Sequence, residues 1–156
     1  MKASNDLLRA IGVDMARSIV DQGTLYPETK LWRCVILNAF EDTFVDHSDR
    51  KNSLKKLSAH NWIVSMCDDF KDVCMCAELD PIVVREAYIK AVKNQNIRFT
   101  KRQLMWLRYN RLYNRMKNLP DKDKQKFLRK RINQLREDVF ATSTEFVSTI
   151  FVSVLT

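Results

Sequence analysis

Apolar residues recur every three or four positions along most of this chain, which is the spacing of amphipathic helices. The pattern predicts a first helix from Asn5 to Gln22, with Gly23 at its C-terminal end. Two glycines and three prolines in 156 residues leave few turns, which favours helices over a many-stranded sheet. We therefore predict an all-α fold. The other predicted helices span 27–46, 53–65, 69–77, 81–94, 101–118 and 121–140.

Start signals support three of these helices. Asp80 precedes Pro81, and an Asp side chain caps exposed N–H groups while proline suits the first helical position. Thr100 and Gln103 have the spacing of a capping box. Asp121 stands at the positive end of the last helix, where a carboxylate is favourable.

Apolar stripes on two helices predict which of their side chains are buried. The stripe of the second helix is Trp32, Val35, Ile36, Ala39 and Phe40. That of the last helix is Phe127 or Leu128, Ile132, Leu135 and Val139.

Positive charge is concentrated late in the chain. The stretch from Arg98 to Arg136 holds fourteen Lys and Arg against two Asp, so it carries +12 while the whole chain carries +8. Such segregation indicates an acidic polymer as partner, and a solvated helical surface is the alternative. We predict a helical domain at 1–97, a basic helical pair at 98–140 packed on it, and a tail at 141–156. The tail could be a strand, a frayed helix or a segment ordered by a partner.

The segment 70–89, FKDVCMCAELDPIVVREAYI, has the pattern of two short helices joined by a tight turn. Cys74 supplies the small side chain needed where the helices cross. The five apolar positions are Val73, Ala77, Leu79, Val84 and Ala87. This segment resembles the helix-turn-helix superfamily of DNA-binding proteins, whose members often have glycine in the turn where this chain has Glu78.

The resemblance implies that the second helix of the pair faces the major groove of DNA. Arg85 and Lys90 would then read bases, and Arg85 suits a bidentate contact to guanine. An ordinary helical hairpin inside an all-α core is the alternative.

The basic helix at 101–118 places its arginines about one turn apart on one face, which suits phosphate oxygens. Its aromatic residues Trp106, Tyr109 and Tyr113 are predicted to be core residues rather than platforms for unpaired bases. Lys124 and Arg131 extend the basic surface along the last helix. The predicted phosphate contacts are Arg98, Lys101, Arg102, Arg108, Arg111, Arg115, Lys122, Lys126, Arg129 and Lys130.

Several other kinds of site are excluded by the sequence. Cys74 and Cys76 form C-x-C rather than the paired C-x₂-C of structural zinc sites, so we predict no metal. No phosphate loop, dinucleotide fingerprint or nucleophile motif occurs, so we predict neither a cofactor nor an enzyme. Reduced thiols and the lack of an apolar run of membrane-spanning length favour a cytoplasmic protein without a membrane partner.

Residues 31–90 resemble small bacteriophage and prophage proteins, which implies a viral origin and a bacterial host but no particular activity. The matching positions include Trp32, Trp62, Asp69, Phe70 and Pro81. We expect a DNA-binding regulator of phage transcription, with RNA as the alternative ligand. Two other roles stay open: a ring-forming DNA-recognition subunit of a packaging motor, which would be a homo-oligomer, and an inhibitor or adaptor of a host protein such as RNA polymerase or a nuclease.

Overall fold

The structure, a computed structural model, describes residues 4–20, 23 and 25–147, and over these residues the fold is all-α. The chain divides into two compact units. Unit 1 contains residues 1–45 and 55–98, and unit 2 contains residues 46–54 and 99–148, each within its described part. The helices are α1 (Asn5–Ile11), α2 (Val13–Val20), α3 (Pro27–Thr43), α4 (Arg50–Val64), α5 (Asp68–Cys76), α6 (Pro81–Lys93), α7 (Lys101–Lys117) and α8 (Lys122–Ala141).

The single helix predicted from Asn5 to Gln22 is wrong, because Gly12 divides it into α1 and α2. Gly12 has φ of 84°, a backbone conformation that side chains with a Cβ rarely adopt. Its N–H donates to the carbonyl of Leu8 at 3.1 Å and closes α1. The apolar spacing continues through this break, which is why the sequence reads as one helix.

The predicted apolar stripe of α3 is correct only in part. Ile36 and Phe40 are buried, but Trp32, Val35 and Ala39 are half-buried. Arg33 is buried in their place, and its Nε donates to the carbonyl of Ala77 at 2.9 Å. Its Nη1 also bonds the carbonyl of Ser18. A guanidinium group that satisfies helix-end carbonyls can lie inside a core, although arginine reads as a surface residue.

The core of unit 1 is formed by buried residues of α1, α2, α3, α5 and α6 and by the α4 residues that belong to this unit. Phe40 meets Tyr88 edge to face, with ring centroids 5.8 Å apart. The Tyr88 hydroxyl lies 2.7 Å from His60 Nδ1, so the polar atom of this buried ring has a partner. Burial raises the pKa of Tyr88, and the phenol stays neutral.

A fully buried lysine joins two distant parts of unit 1. Lys56 on α4 has no exposed surface, and its Nζ donates to the carbonyl of Val45 at 2.9 Å. The same ammonium bonds the carbonyl of Arg98. Val45 and Arg98 are the last residues of the segments 1–45 and 55–98 of unit 1, so Lys56 ties the C-terminal ends of these two segments together.

Unit 2 is built on the antiparallel hairpin of α7 and α8. The predicted capping box is confirmed, since Thr100 accepts from the Gln103 N–H and Gln103 accepts from the Thr100 N–H. Trp106 donates from Nε1 to the Ser48 carbonyl at 2.8 Å, and Gln103 Nε2 donates to the His47 carbonyl at 3.1 Å. Residues 46–54 therefore form part of the scaffold of this hairpin.

Part of the predicted tail lies alongside the start of α7. Thr100 and Phe146 form an isolated antiparallel β-bridge. The N–H of Lys101 donates to the Glu145 carbonyl at 2.9 Å, and that of Val147 to the Phe99 carbonyl at 2.8 Å. Residues 148–156, the rest of the predicted tail, lie outside the described residues.

Candidate nucleic-acid interface

A groove of about 510 Å³ runs between α7 and α8 of unit 2. Residues spaced one turn apart line it from both helices, because positions three and four apart share a helix face. Leu112 and Leu135 supply its apolar lining, and the rest of the lining is polar or charged. The lining residues are Arg108, Arg111, Leu112 and Arg115 of α7, and Arg131, Gln134, Leu135 and Asp138 of α8.

The groove is strongly positive because four arginines face one carboxylate. That carboxylate, Asp138, accepts a hydrogen bond from Gln134 Nε2 at 3.2 Å. Among the described residues, no side chain forms a hydrogen bond or ion pair with Arg108, Arg115 or Arg131. All three are exposed, so their guanidinium groups are open to an anion. Guanidinium forks match the oxygen geometry of phosphate.

The structure thus brings together three predicted phosphate contacts, Arg108, Arg111 and Arg115, and adds Arg131 from the other helix. Their spacing on α7 places the three on one face in the sequence. Arg131 belongs to the basic stretch of α8, but its position opposite them depends on how the hairpin pairs, which its own sequence does not reveal.

Two other predicted contacts at the start of α7 bind the protein itself. Arg102 donates from Nε and Nη2 to the carbonyl of Thr142 at 3.1 and 2.9 Å, and from Nη2 to the carbonyl of Phe140 at 3.1 Å. Lys101 pairs with Glu145 at 3.0 Å. The hydrogen bond from Lys101, with the charge of its ammonium adding to the effect, lowers the pKa of Glu145, and the carboxyl stays ionised at neutral pH. These two cations secure the returning segment 142–147.

The remaining predicted phosphate contacts lie on the surface. Arg98 is exposed in unit 1. Four basic side chains are exposed on α8 of unit 2, which adds positive charge to the helix that forms one wall of the groove. They are Lys122, Lys126, Arg129 and Lys130.

The aromatic residues of α7 belong to the core, as predicted for Trp106 and Tyr109. These rings are 5% and 1% exposed and meet edge to face at 5.3 Å. Tyr113 is half-buried and stacks on Tyr109 at 6.3 Å, and the guanidinium of Arg50 lies 5.4 Å from its ring centroid. Arg136 donates to the Tyr109 hydroxyl at 2.8 Å, which raises the pKa of Arg136.

The sequence leaves Phe127 and Leu128 as alternatives for the apolar stripe of α8. In the structure, Leu128 belongs to this stripe and Phe127 does not. Leu128 is half-buried, whereas Phe127 is 68% exposed. Both residues fit a period of 3.6, so only the position of α7 decides between them. Ile132 and Val139 are buried as predicted.

In unit 1, the turn 77–80 joins α5 to α6, the two helices of the predicted helix-turn-helix segment. Glu78 has φ of 56°, the left-handed conformation that glycine commonly supplies in such turns. The N–H of Leu79 donates to the Cys74 carbonyl at 2.9 Å, and Asp80 caps α6 by accepting from the Ile82 N–H. Burial raises the pKa of the Cys74 thiol to about 12, with the charge of Asp80 adding to the effect. Cys74 therefore remains a neutral packing residue.

The outward face of α6 offers little for reading bases. Arg85 donates from Nε to the carbonyl of Val64, the last residue of α4, at 2.8 Å, so part of its guanidinium group closes a helix. Lys90 is exposed. Ile82 and Val83 are 56% and 47% exposed, and they present hydrocarbon rather than hydrogen-bond donors.

Replacing Glu78 with glycine is expected to stabilise the chain by about 1 kcal/mol, because only glycine adopts this φ without strain. The Thr29 hydroxyl donates to Glu78 at 3.4 Å, a long hydrogen bond whose loss subtracts little. Thermal unfolding measures the change. The matched control is Glu86→Gly in the exposed interior of α6, which should destabilise by about 1 kcal/mol. A destabilising Glu78→Gly would contradict the geometry of this turn.

A second groove of about 510 Å³ lies in unit 1 beside α3, α4 and α5. Trp32 and Trp62 line it, and Trp62 Nε1 donates to Asp69 at 2.7 Å. Its other ionisable lining residues, Asp42 and Lys55, form an ion pair at 2.7 Å. Two carboxylates against one ammonium make this groove unsuitable for a polyanion.

No protein-family model, curated protein or solved structure matches this chain. The resemblances of residues 70–89 and 31–90 therefore stay predictions. No helix among the described residues is both long enough and apolar enough to cross a membrane.

Proposed function

We propose that this chain binds nucleic acid and that the groove between α7 and α8 holds its phosphate backbone. The observation that carries the proposal is the convergence of Arg108, Arg115 and Arg131 in one groove without carboxylate partners among the described residues. Aligned cations without partners repel one another, so the arrangement favours a ligand that supplies several negative charges.

A polymer suits this surface better than a small anion. Positive charge continues beyond the groove onto the exposed side chains of Lys122, Lys126 and Lys130. Each cation that meets a backbone phosphate releases condensed counterions, so an extended row of contacts gains free energy that one small anion cannot provide. Binding of this kind positions the backbone and carries no sequence information by itself.

The role of a sequence-reading regulator rests on the hairpin of α5 and α6. Its turn geometry supports that role, whereas the occupied Arg85 and the apolar Ile82 and Val83 give α6 few donors for base edges. We therefore propose backbone binding as the primary function. If the chain also recognises a duplex sequence, in transcription or packaging, that recognition would be a second function beside backbone binding.

The exposed apolar side chains of the hairpin favour a second candidate, an adaptor that binds a host protein. Met75 is 69% exposed on α5, in addition to Ile82 and Val83 on α6. A complex with a host protein that survives nuclease treatment and loosens on Ile82→Ser substitution would support this role. If nuclease treatment dissolves the complex, nucleic acid bridges the two proteins and the adaptor role is refuted.

A salt series tests the primary proposal. Fluorescence anisotropy of labelled duplex DNA, single-stranded DNA and single-stranded RNA would be measured from about 50 to 200 mM NaCl. We expect a plot of the logarithm of affinity against the logarithm of salt concentration to have a slope of about −3. This slope corresponds to about four phosphate contacts. Affinity should therefore drop by about sixtyfold across this range. Binding that does not depend on salt, or no binding at the lowest salt concentration, would refute the proposal.

A further inference from the structure

An exposed aromatic ring lies beside the arginine groove. Phe127 is four residues before Arg131 on α8, so the two side chains share one helix face and lie about one turn apart. Phe127 is 68% exposed and contacts no other aromatic ring in the described part of the chain. Exposing most of a phenylalanine to water forgoes the favourable free energy that its burial would supply.

The aromatic rings of α7, and that of Phe140 on α8, have partners within the protein. Trp106 and Tyr109 are buried, Tyr113 stacks on Tyr109, and the guanidinium of Arg50 lies within 5.4 Å of both tyrosine rings. Phe140 is 62% exposed, but its ring meets the ring of Trp106 edge to face at 5.7 Å. Phe127 is therefore the ring along this groove whose faces are most open to a ligand.

Basic side chains surround Phe127 on α8. Lys126 and Lys130 are exposed on the neighbouring positions, and Arg131 lines the groove. Positive charge that follows a backbone, together with an aromatic face that accepts a base, is the combination by which proteins bind unpaired strands. In a duplex the base faces are stacked on one another, so an outward ring gains nothing from them.

We propose that the nucleic acid held by this groove is single-stranded and that an unpaired base stacks on Phe127. This inference rests on the proposed function, since the arginines must hold the backbone for a base to reach the ring. It adds that the ligand is single-stranded. It also gives the stacking role to Phe127, one of the two residues that the sequence pattern leaves as alternatives for the apolar stripe of α8.

The decisive test compares substitutions of Phe127 on matched probes. Affinity for single-stranded dT20 and rU20 should fall about tenfold in Phe127→Ala, while affinity for a duplex of about 20 base pairs stays unchanged. Phe127→Trp should retain single-strand binding, because it keeps an aromatic face. Phe127→Leu should lose as much as alanine, because it keeps hydrocarbon but has no π-face. The exposed position makes these variants compatible with folding, which circular dichroism would verify.

A dT20 strand with abasic sites throughout separates base stacking from backbone binding. Wild type should bind the abasic strand about as weakly as Phe127→Ala binds normal dT20, and the alanine variant should lose nothing further on it. The dT20 and rU20 arms identify DNA or RNA as the better ligand.

The two proposals fail in different ways. If all probes bind with a steep salt slope but Phe127→Ala or the abasic strand has no effect, base stacking is refuted and backbone binding stands. Equal losses on duplex and single strands would make Phe127 a general contact and would also refute stacking. If no probe binds, both proposals fail.

Discussion

Replacing Arg108, Arg115 and Arg131 together with glutamine is expected to weaken nucleic-acid binding by about a hundredfold at low salt. These guanidinium groups line one groove and have no carboxylate partners among the described residues, so each is available to a phosphate. Removing three contacts should also reduce the salt slope by about 2 to 3, at about 0.7 to 0.9 for each phosphate. Anisotropy titrations of the variant and wild type across the salt series measure both quantities.

The matched control removes the same charge elsewhere. Arg9, Arg17 and Lys93 are exposed on unit 1, and their replacement with glutamine also lowers the net charge by three. This control should lose less than about fivefold in affinity, through the long-range field alone. If the two triple variants bind equally, the general charge of the protein drives binding and the groove is not the site. Equal melting temperatures would show that both variants remain folded.

Replacing Lys56 with methionine is expected to destabilise the chain by about 3 kcal/mol, the largest effect on stability that we predict. Methionine keeps much of the aliphatic volume but removes the ammonium that bonds the carbonyls of Val45 and Arg98. Hydrogen bonds to a charged group contribute about 1.5 to 3 kcal/mol each when buried. The melting temperature should fall by about 10 °C for a chain of this size.

The neighbouring lysine provides the control for this substitution. Lys55 pairs with Asp42 at 2.7 Å, but more than half of its side chain is exposed, so Lys55→Met should cost less than about 1 kcal/mol. Chemical denaturation with a shared slope for both variants and wild type gives the difference directly. If the two substitutions lower the free energy of unfolding by similar amounts, the hydrogen bonds of the buried Lys56 ammonium do not contribute the stability expected of them.

The sequence predicts most helices correctly because their starts carry local signals. Asp80, Asp121 and the pair Thr100 and Gln103 each cap the helix that follows them, as expected from residue type and spacing alone. The break at Gly12 is not predicted, because the apolar period runs across it. A left-handed backbone conformation depends on how α1 and α2 must turn to pack, and the spacing of side chains does not record that turn.

The candidate site could be predicted only in part. The spacing of Arg108, Arg111 and Arg115 is enough by itself to define one face of α7. Which α8 residues oppose that face depends on the hairpin's register, so Arg131 and Phe127 could not be placed. Arg102 fits the same basic pattern as its neighbours, yet it bonds carbonyls of residues about forty positions later in the chain. Such long-range partners leave no local trace in the sequence.

Because residues 46–54 belong with α7 and α8, the chain enters unit 2 twice, and no continuous fragment contains that unit alone. A fragment starting at residue 99 would keep every cation of the groove but would lack the Ser48 carbonyl that accepts from Trp106. It would also lack Arg50, which covers two of its tyrosine rings. Its failure to bind would then reflect a damaged scaffold rather than missing contacts. Deletion mapping is therefore unsuited to this protein, and its binding surface has to be located by substituting single side chains in the intact chain.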